Sequence, residues 1–248
     1  MTDARPWWRR RPILVTVTAV VALLLGVVAV LGVRALLVVG SIQPRADYWD
    51  QRAEQPGDVA YLALGDSLSQ GIGSSTPDTS FVSVLAGDLS ERTGEPVRVI
   101  NLSVTGATTA ELIRDQLPQL AQVLAELEAD GVPVGLVTVC IGANDAGATS
   151  PQDYRRDLRT VLDALPAGSY VSDVPDFNGG ARDEPAAELA AVAREEVAAR
   201  PDLVLVPLEA ATGEQSTAEY AGDFFHPSDE GYLRYVEVFR DTIEHSRR

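Results

Sequence analysis

The sequence predicts an α/β fold in which a five-stranded parallel sheet is covered by helices, preceded by one transmembrane helix. Two patterns predict the domain. From Val59 onward short apolar runs alternate with amphipathic stretches, and a continuous apolar run bounded by turn residues is what a strand buried on both faces requires. A third pattern, an uncharged run over residues 13–33, predicts the membrane helix, because 21 residues at ~1.5 Å each span ~31 Å, about the thickness of a bilayer core.

Arg5, Arg9, Arg10 and Arg11 precede that run, and Trp7 and Trp8 stand at its edge. By the positive-inside rule the N-terminus stays in the cytoplasm and the remainder lies outside. A cleaved signal peptide is the competing reading, with Val33-Arg34-Ala35 or Val38-Val39-Gly40 as cleavage patterns. Its apolar region would run only ~7–15 residues, which favours an uncleaved anchor over secretion. The division expected is a basic cytoplasmic tail at 1–12, a signal anchor at 13–40, a linker at 41–58 and one folded domain at 59–248. The stretch Gln43 to Asp58, polar and carrying Pro44, Pro56 and Gly57, reads as a tether.

Strands are expected at Val59–Leu64, Val97–Leu102, Val134–Ile141, Ser169–Val174 and Leu203–Leu208. Phe81, Val84, Leu85 and Leu89 recur at helical spacing, and Gly94 closes their helix. Thr108 with Glu111 forms a capping-box pattern ahead of Leu112, Ile113 and Leu117, after which Pro118 should break or kink the run. Leu120, Val123, Leu124 and Leu127 continue to a stop at Gly131. Ser150 caps a helix with Pro151 in its first turn and Tyr154, Leu158, Val161, Leu162 and Leu165 on its inner face. The Ala-rich run Pro185–Ala199 is helical by propensity. A last helix starts near Ser228 and should bury Tyr232, Leu233, Val236, Phe239 and Ile243.

The formal net charge is −16. Residues 1–45 hold six Arg and one acid, so the rest of the chain carries 14 Arg against 35 acids, a net of −21. Such a surface repels phosphate backbones and anionic lipid heads, which argues against nucleic acid as a partner. The chain has no lysine, which excludes a Gly-Lys-Ser phosphate loop, a Schiff-base enzyme and a Ser-Lys dyad. Cys140, the single cysteine, falls inside an apolar run and reads as a buried, inert thiol. Neither histidine has a partner at ligand spacing, so neither a metal nor a cofactor is expected.

Nucleophile activation then falls to histidine. Ser67, in Leu64-Gly65-Asp66-Ser67-Leu68 at the end of the first strand, is the candidate nucleophile, and His226, three residues after Asp223, the candidate base. A histidine has an ordinary pKa of ~6.5 and is mostly free base at neutral pH; His245, near the charged C-terminus, is given no such role. Taken singly, each of these residues also has a plain reading: Ser67 as turn chemistry, His226 as a helix cap, Asp223 as a loop acid, Gly106 as a loop glycine, Asn144 as a turn residue. Gly71 and Gly73 suggest a mobile loop beside the pocket, and residues 173–180 a loop that shapes it.

Taken together, Gly65-Asp66-Ser67, Gly106, Gly142-Ala143-Asn144-Asp145 and Asp223-Phe224-Phe225-His226 resemble the four sequence blocks of the GDSL, or SGNH, hydrolase family, over about residues 59–245. The resemblance implies a three-layer α/β/α, flavodoxin-like sandwich. It implies Ser67 as nucleophile, His226 as base and Asp223 as its orienting acid. The oxyanion hole would comprise the backbone N–H of Ser67 and Gly106 and the side-chain amide of Asn144. Asp66 and Asp145 are expected to be structural, bonding loop backbone. The reaction implied is hydrolysis of a carboxylic ester through an acyl-enzyme, on a small-molecule, lipid or sugar ester. An acyltransferase or a deacetylase of cell-envelope sugars or lipids, and a non-catalytic surface binding domain, are the alternatives.

Overall fold

The structure, a computed structural model, describes residues 11–247, with side chains from residue 15 onward. The expectations for Arg5, Trp7, Trp8, Arg9 and Arg10 lie outside the described residues. In chain order the main elements are α1 (Arg11–Gly40), α2 (Ile42–Ala53), β1 (Val59–Gly65), α3 (Ser67–Gln70), α4 (Phe81–Thr93), β2 (Val97–Asn101), α5 (Thr109–Glu111), α6 (Leu117–Asp130), β3 (Val134–Cys140), α7 (Pro151–Ala164), β4 (Tyr170–Ser172), α8 (Asp183–Ala198), β5 (Val204–Val206), α9 (Leu208–Thr212) and α10 (Asp229–Ser246).

The five strands form one parallel sheet in the order β2-β1-β3-β4-β5. Every residue of β1 is buried, and the pleat sends alternate side chains to opposite faces. Ala60, Leu62 and Leu64 join the core built by α6, α7 and α8. Val59, Tyr61 and Ala63 join the one built by α4 and α10, where Phe81 stacks on Phe239 at a centroid distance of 5.1 Å. This is the three-layer α/β/α sandwich that the alternating pattern and the motif resemblance predict. The chain leaves β1 toward β2 and returns across β1 to β3, so the order reverses between β1 and β3. Ligands in open parallel sheets bind at such a reversal, beyond the carboxyl ends of the strands.

Helix α1 has 30 residues, and its apolar side chains are exposed, Leu24 at 58% and Leu36 at 70%. It is long and apolar enough to cross a membrane. The stretch after it differs from the expected tether. Ile42–Ala53 is a helix whose Trp49 is 2% exposed and donates from Nε1 to Gln70 O at 3.0 Å, while Ala53 O accepts from Arg98 Nε at 2.9 Å. One aromatic anchor and a few backbone-directed bonds dock this helix despite its polar composition.

Two further expectations are corrected. Of the break or kink expected at Pro118, the break does not occur, because Leu112–Gln116 widen into a π-turn just ahead of α6 and leave the proline in the first turn, where it needs no N–H partner. In α10 the buried set is Tyr232, Tyr235, Val236, Phe239 and Ile243. Leu233 is 57% exposed, since it lies ~100° around the helix from Tyr232 and misses the inward stripe.

Candidate active site

β1 ends at Gly65, whose φ of +136° lets the chain turn hard against β3; a Cβ at this position would sit 2.0 Å from Cys140 O. Only glycine fits. Asp66 then caps α3, its Oδ1 accepting the Leu68 N–H at 2.9 Å, and Ser67 opens that short helix. The buried Gln116, on the π-turn, bonds both the N–H of Gly65 at 2.9 Å and its carbonyl at 2.7 Å, closing the end of the strand.

The loop before α10 brings His226 to the serine. His226 Nε2 lies 2.9 Å from Ser67 Oγ, and Nδ1 lies 2.6 Å from Asp223 Oδ2. Asp223 Oδ1 accepts the backbone N–H groups of Phe225 and His226, each at 3.1 Å, which wraps the loop around its own acid. Phe224 carries the strain of that wrap at φ +55°, a left-handed conformation that costs a non-glycine residue ~1–2 kcal/mol. Burial opposes the Asp223 charge, but the bonds from His226 and the loop amides outweigh it and hold the carboxyl below its ordinary value. A hydroxyl on one imidazole nitrogen with an ionised carboxylate on the other is an arrangement able to deprotonate the hydroxyl.

Asn144 follows β3, across the reversal of strand order. Its Nδ2 donates to Ala107 O at 3.1 Å and to Asp66 Oδ2 at 3.3 Å, placing the amide between the residue after Gly106 and the residue before Ser67. The backbone N–H groups of Ser67 and Gly106 have no acceptor among the described residues. Gly106 is carried by a loop tied to α3 through Gln70, whose side chain bonds Ser103 O at 2.8 Å and accepts from Thr105 Oγ1. Gln70 and Gln116 are residues that the sequence reading missed, and no local pattern singles out a glutamine bonding distant backbone.

The two acids read as structural are both bonded to loop backbone. Asp145 accepts from Thr109 N and Oγ1, at 2.8 and 2.9 Å, and from Thr149 Oγ1 at 3.0 Å, and burial raises its pKa. Burial pushes the Asp66 carboxyl up to about 7, so near neutrality its neutral form is substantially populated. Cys140 is buried, as expected. Gly73 differs from the mobile-loop reading: at φ +96° it packs against Pro227 and His226. His245 lies at the far end of α10, bonded to Asp241 O at 2.6 Å.

Beside Ser67 is a cavity of about 20 Å³, bounded by Leu68, Ala143, Phe177, Tyr220 and Phe225. Phe177 and Phe225, both in its wall, stack on each other at 5.5 Å. Phe177 belongs to the loop after β4, which therefore does line the pocket.

Comparison with known proteins agrees with this architecture. An acetyl xylan esterase, Axe2, from Geobacillus stearothermophilus aligns with a TM-score of 0.56 at 20% identity, over 74% of this chain and 93% of that one. An alpha/beta hydrolase enzyme from the metagenome of Lake Arreo, Spain, aligns with a TM-score of 0.56 at 18% identity, covering 75% and 94%. TesA aligns with a TM-score of 0.55 at 27% identity, covering 75% and 98%. No curated protein sequence matches. Residues 63–234, which contain every side chain bonded around Ser67, match the GDSL-like Lipase/Acylhydrolase family, and the chain belongs to it.

Proposed function

We propose that this protein is a membrane-tethered serine esterase that hydrolyses short-chain carboxylic esters outside the cell membrane. The observation that carries the reading is the bonded line from Ser67 Oγ through His226 to Asp223. His226 Nε2 takes the hydroxyl proton as Ser67 Oγ bonds the acyl carbon, and Asp223 stabilises the imidazolium. The oxyanion accepts from Ser67 N–H, Gly106 N–H and the Asn144 amide, which gives up its longer bond to Asp66 to do so. As the ester C–O bond breaks, His226 returns the proton and the alcohol leaves. Water then adds to the acyl-enzyme with its proton passing to His226; the bond to Ser67 breaks, the carboxylic acid departs and the serine regains its hydrogen.

The cavity beside Ser67 supports a short acyl group. A cavity of about 20 Å³ suits the methyl of an acetyl group, whereas a longer chain must displace the Phe177–Phe225 pair in its wall. An acetylated sugar fits this reading, as in the acetyl xylan esterase it resembles in fold. The exposed apolar helix α1 supports anchoring, with the domain on the outer side by the charge rule.

The test is labelling by a fluorophosphonate together with turnover of p-nitrophenyl esters. Labelling should disappear in Ser67→Ala, and kcat/KM should favour acetate over octanoate by at least about tenfold. Absence of labelling in the folded wild type would refute the esterase, and a preference for octanoate would refute the short acyl slot.

A further inference from the structure

Where α1 meets the domain, a second cavity of about 310 Å³ opens between the end of the apolar helix and the loops that flank the His226 segment. Arg34, Leu37 and Arg45 line one side, and Ser75, Ala221 and Gly222 the other. The contact is close: a Cβ on Gly222 would lie 2.6 Å from Arg34 Cβ and 2.9 Å from its carbonyl oxygen.

Arg45 has acidic neighbours, Asp229 and Asp78, whose charges act on its guanidinium without forming an ion pair. Arg45 is 4% exposed, and one guanidinium nitrogen donates to Ser74 O at 2.5 Å. The other terminal nitrogen, Nη1, is buried with no hydrogen-bond partner among the described residues. Neither Arg34 nor Arg45 forms an ion pair among the described residues. Asp229, the acid bonded to this loop, is taken up by Ser75 N–H at 2.8 Å and Thr79 Oγ1 at 2.6 Å. Nη1 is shut away from the cavity, so what an occupant meets is the exposed Arg34 and the rest of the Arg45 fork, a planar geometry that matches the oxygens of a phosphate.

The surroundings specify what kind of phosphate. Leu36 and Leu37, both 70% exposed, continue the apolar surface of α1 to the edge of the cavity, so an occupant meets hydrocarbon on one side and guanidinium on the other. We propose that this cavity binds the phosphate of an anionic membrane phospholipid, its acyl chains running down α1 and its headgroup held by Arg34 and Arg45. The site is a local exception to a domain whose net charge repels anionic surfaces. It does not share the cavity beside Ser67, so the lipid is a ligand and not the ester cleaved. It does touch the loops that carry the catalytic pair, since Gly222 precedes Asp223 and Gly73, beside Ser74, packs on His226.

The lipid source rests on α1 lying in a bilayer, as proposed above. The experiment is native mass spectrometry of the full chain in neutral detergent, offered equal amounts of phosphatidylglycerol and phosphatidylcholine with identical acyl chains. One phosphatidylglycerol should be retained in preference to phosphatidylcholine by about tenfold, and Arg34→Gln and Arg45→Gln should each erase the preference. Arg34 is exposed, so its variant keeps the test decisive if Arg45→Gln fails to fold. Displacement by millimolar inorganic phosphate would keep the anion site and reassign it to the free anion. Equal retention of the two lipids, or a preference unchanged in Arg34→Gln, would overturn the proposal. The count needs no turnover and holds equally for Ser67→Ala, so failure of the esterase reading leaves it standing.

Discussion

Gly73→Ala isolates how closely the position of His226 is held by its neighbours. A Cβ at residue 73 would sit 2.4 Å from Pro227 O, 2.8 Å from His226 Cβ and 3.0 Å from Ala221 Cβ. Carbon contacts relax at ~3.5 Å, so the His226–Pro227 backbone must retreat by roughly 0.7–1 Å. That displacement lengthens the 2.9 Å bond from Nε2 to Ser67 Oγ beyond hydrogen-bond range. A misplacement of ~1 Å in a catalytic group costs on the order of 10²-fold, and this is the fall in kcat expected with p-nitrophenyl acetate. The positive φ adds ~1–2 kcal/mol of strain, or a melting point lower by about 2–8 °C in a domain of this size. Gly94→Ala is the control. Its φ is +75° and a Cβ there meets nothing within 4 Å, so it should lower the melting point comparably and leave kcat alone. Rates are normalised by fluorophosphonate titration of competent sites. A folded Gly73→Ala with wild-type kcat would refute the reasoning, because it would mean that the loop absorbs the methyl group without moving the imidazole.

Two other substitutions test the site. Asn144→Ala should lower kcat by roughly 10²–10³ with KM little changed, because its amide meets the oxyanion only as charge develops; wild-type kcat on an ester whose acylation limits turnover would return Asn144 to a turn residue. Asp66→Asn tests the buried carboxyl through stability. With a folded pKa of about 7 against an unfolded value of ~3.9, the folded chain holds a proton that the unfolded chain releases, so this contribution is complete below pH ~3.9 and lost as pH rises through 7. Urea unfolding should show the variant gaining on wild type by on the order of 3 kcal/mol between pH 4 and pH 7. Any constant penalty from facing two amides at Asn144 leaves that slope unchanged, and a difference flat with pH would show that Asp66 is ionised throughout.

The strands were legible because burial on both faces leaves little choice but a run of apolar residues, and β1 and β3 match their expected limits to within one residue. β4 and β5 are shorter than expected, because apolar residues continue past the point where pairing stops. That Ser67, Asp223 and His226 would come together was legible for a different reason: their blocks resemble those of the GDSL family, and the absence of lysine and the three-residue spacing of Asp223 and His226 point the same way. Helix α2 was hidden: its fixing contacts are one tryptophan and the buried Arg45, in a stretch whose composition is that of a linker. The π-turn was hidden too, because the rule that proline breaks a helix assumes that the turn before it has ordinary width. Tyr235 was overlooked in favour of Leu233, as hydrophobicity was weighed ahead of the angle around the helix.

Under the anchoring proposed above, the docked α2 also sets how far the site can reach from α1. As a flexible coil, residues 41–58 would let the domain wander by an r.m.s. distance of ~23 Å. With Trp49 seated against Gln70 and Ala53 bonded to Arg98, that freedom is gone. In a bilayer the mouth of the site is held at a fixed height and heading above the headgroups. If the proposed activity holds, substrates borne on the envelope at that height meet a site already oriented toward them, while those a few nanometres higher lie beyond its reach however well their ester fits the slot. Selection by altitude would then accompany selection by acyl length, and inserting a glycine-serine segment between Gly40 and Ile42 would relax the first without touching the second.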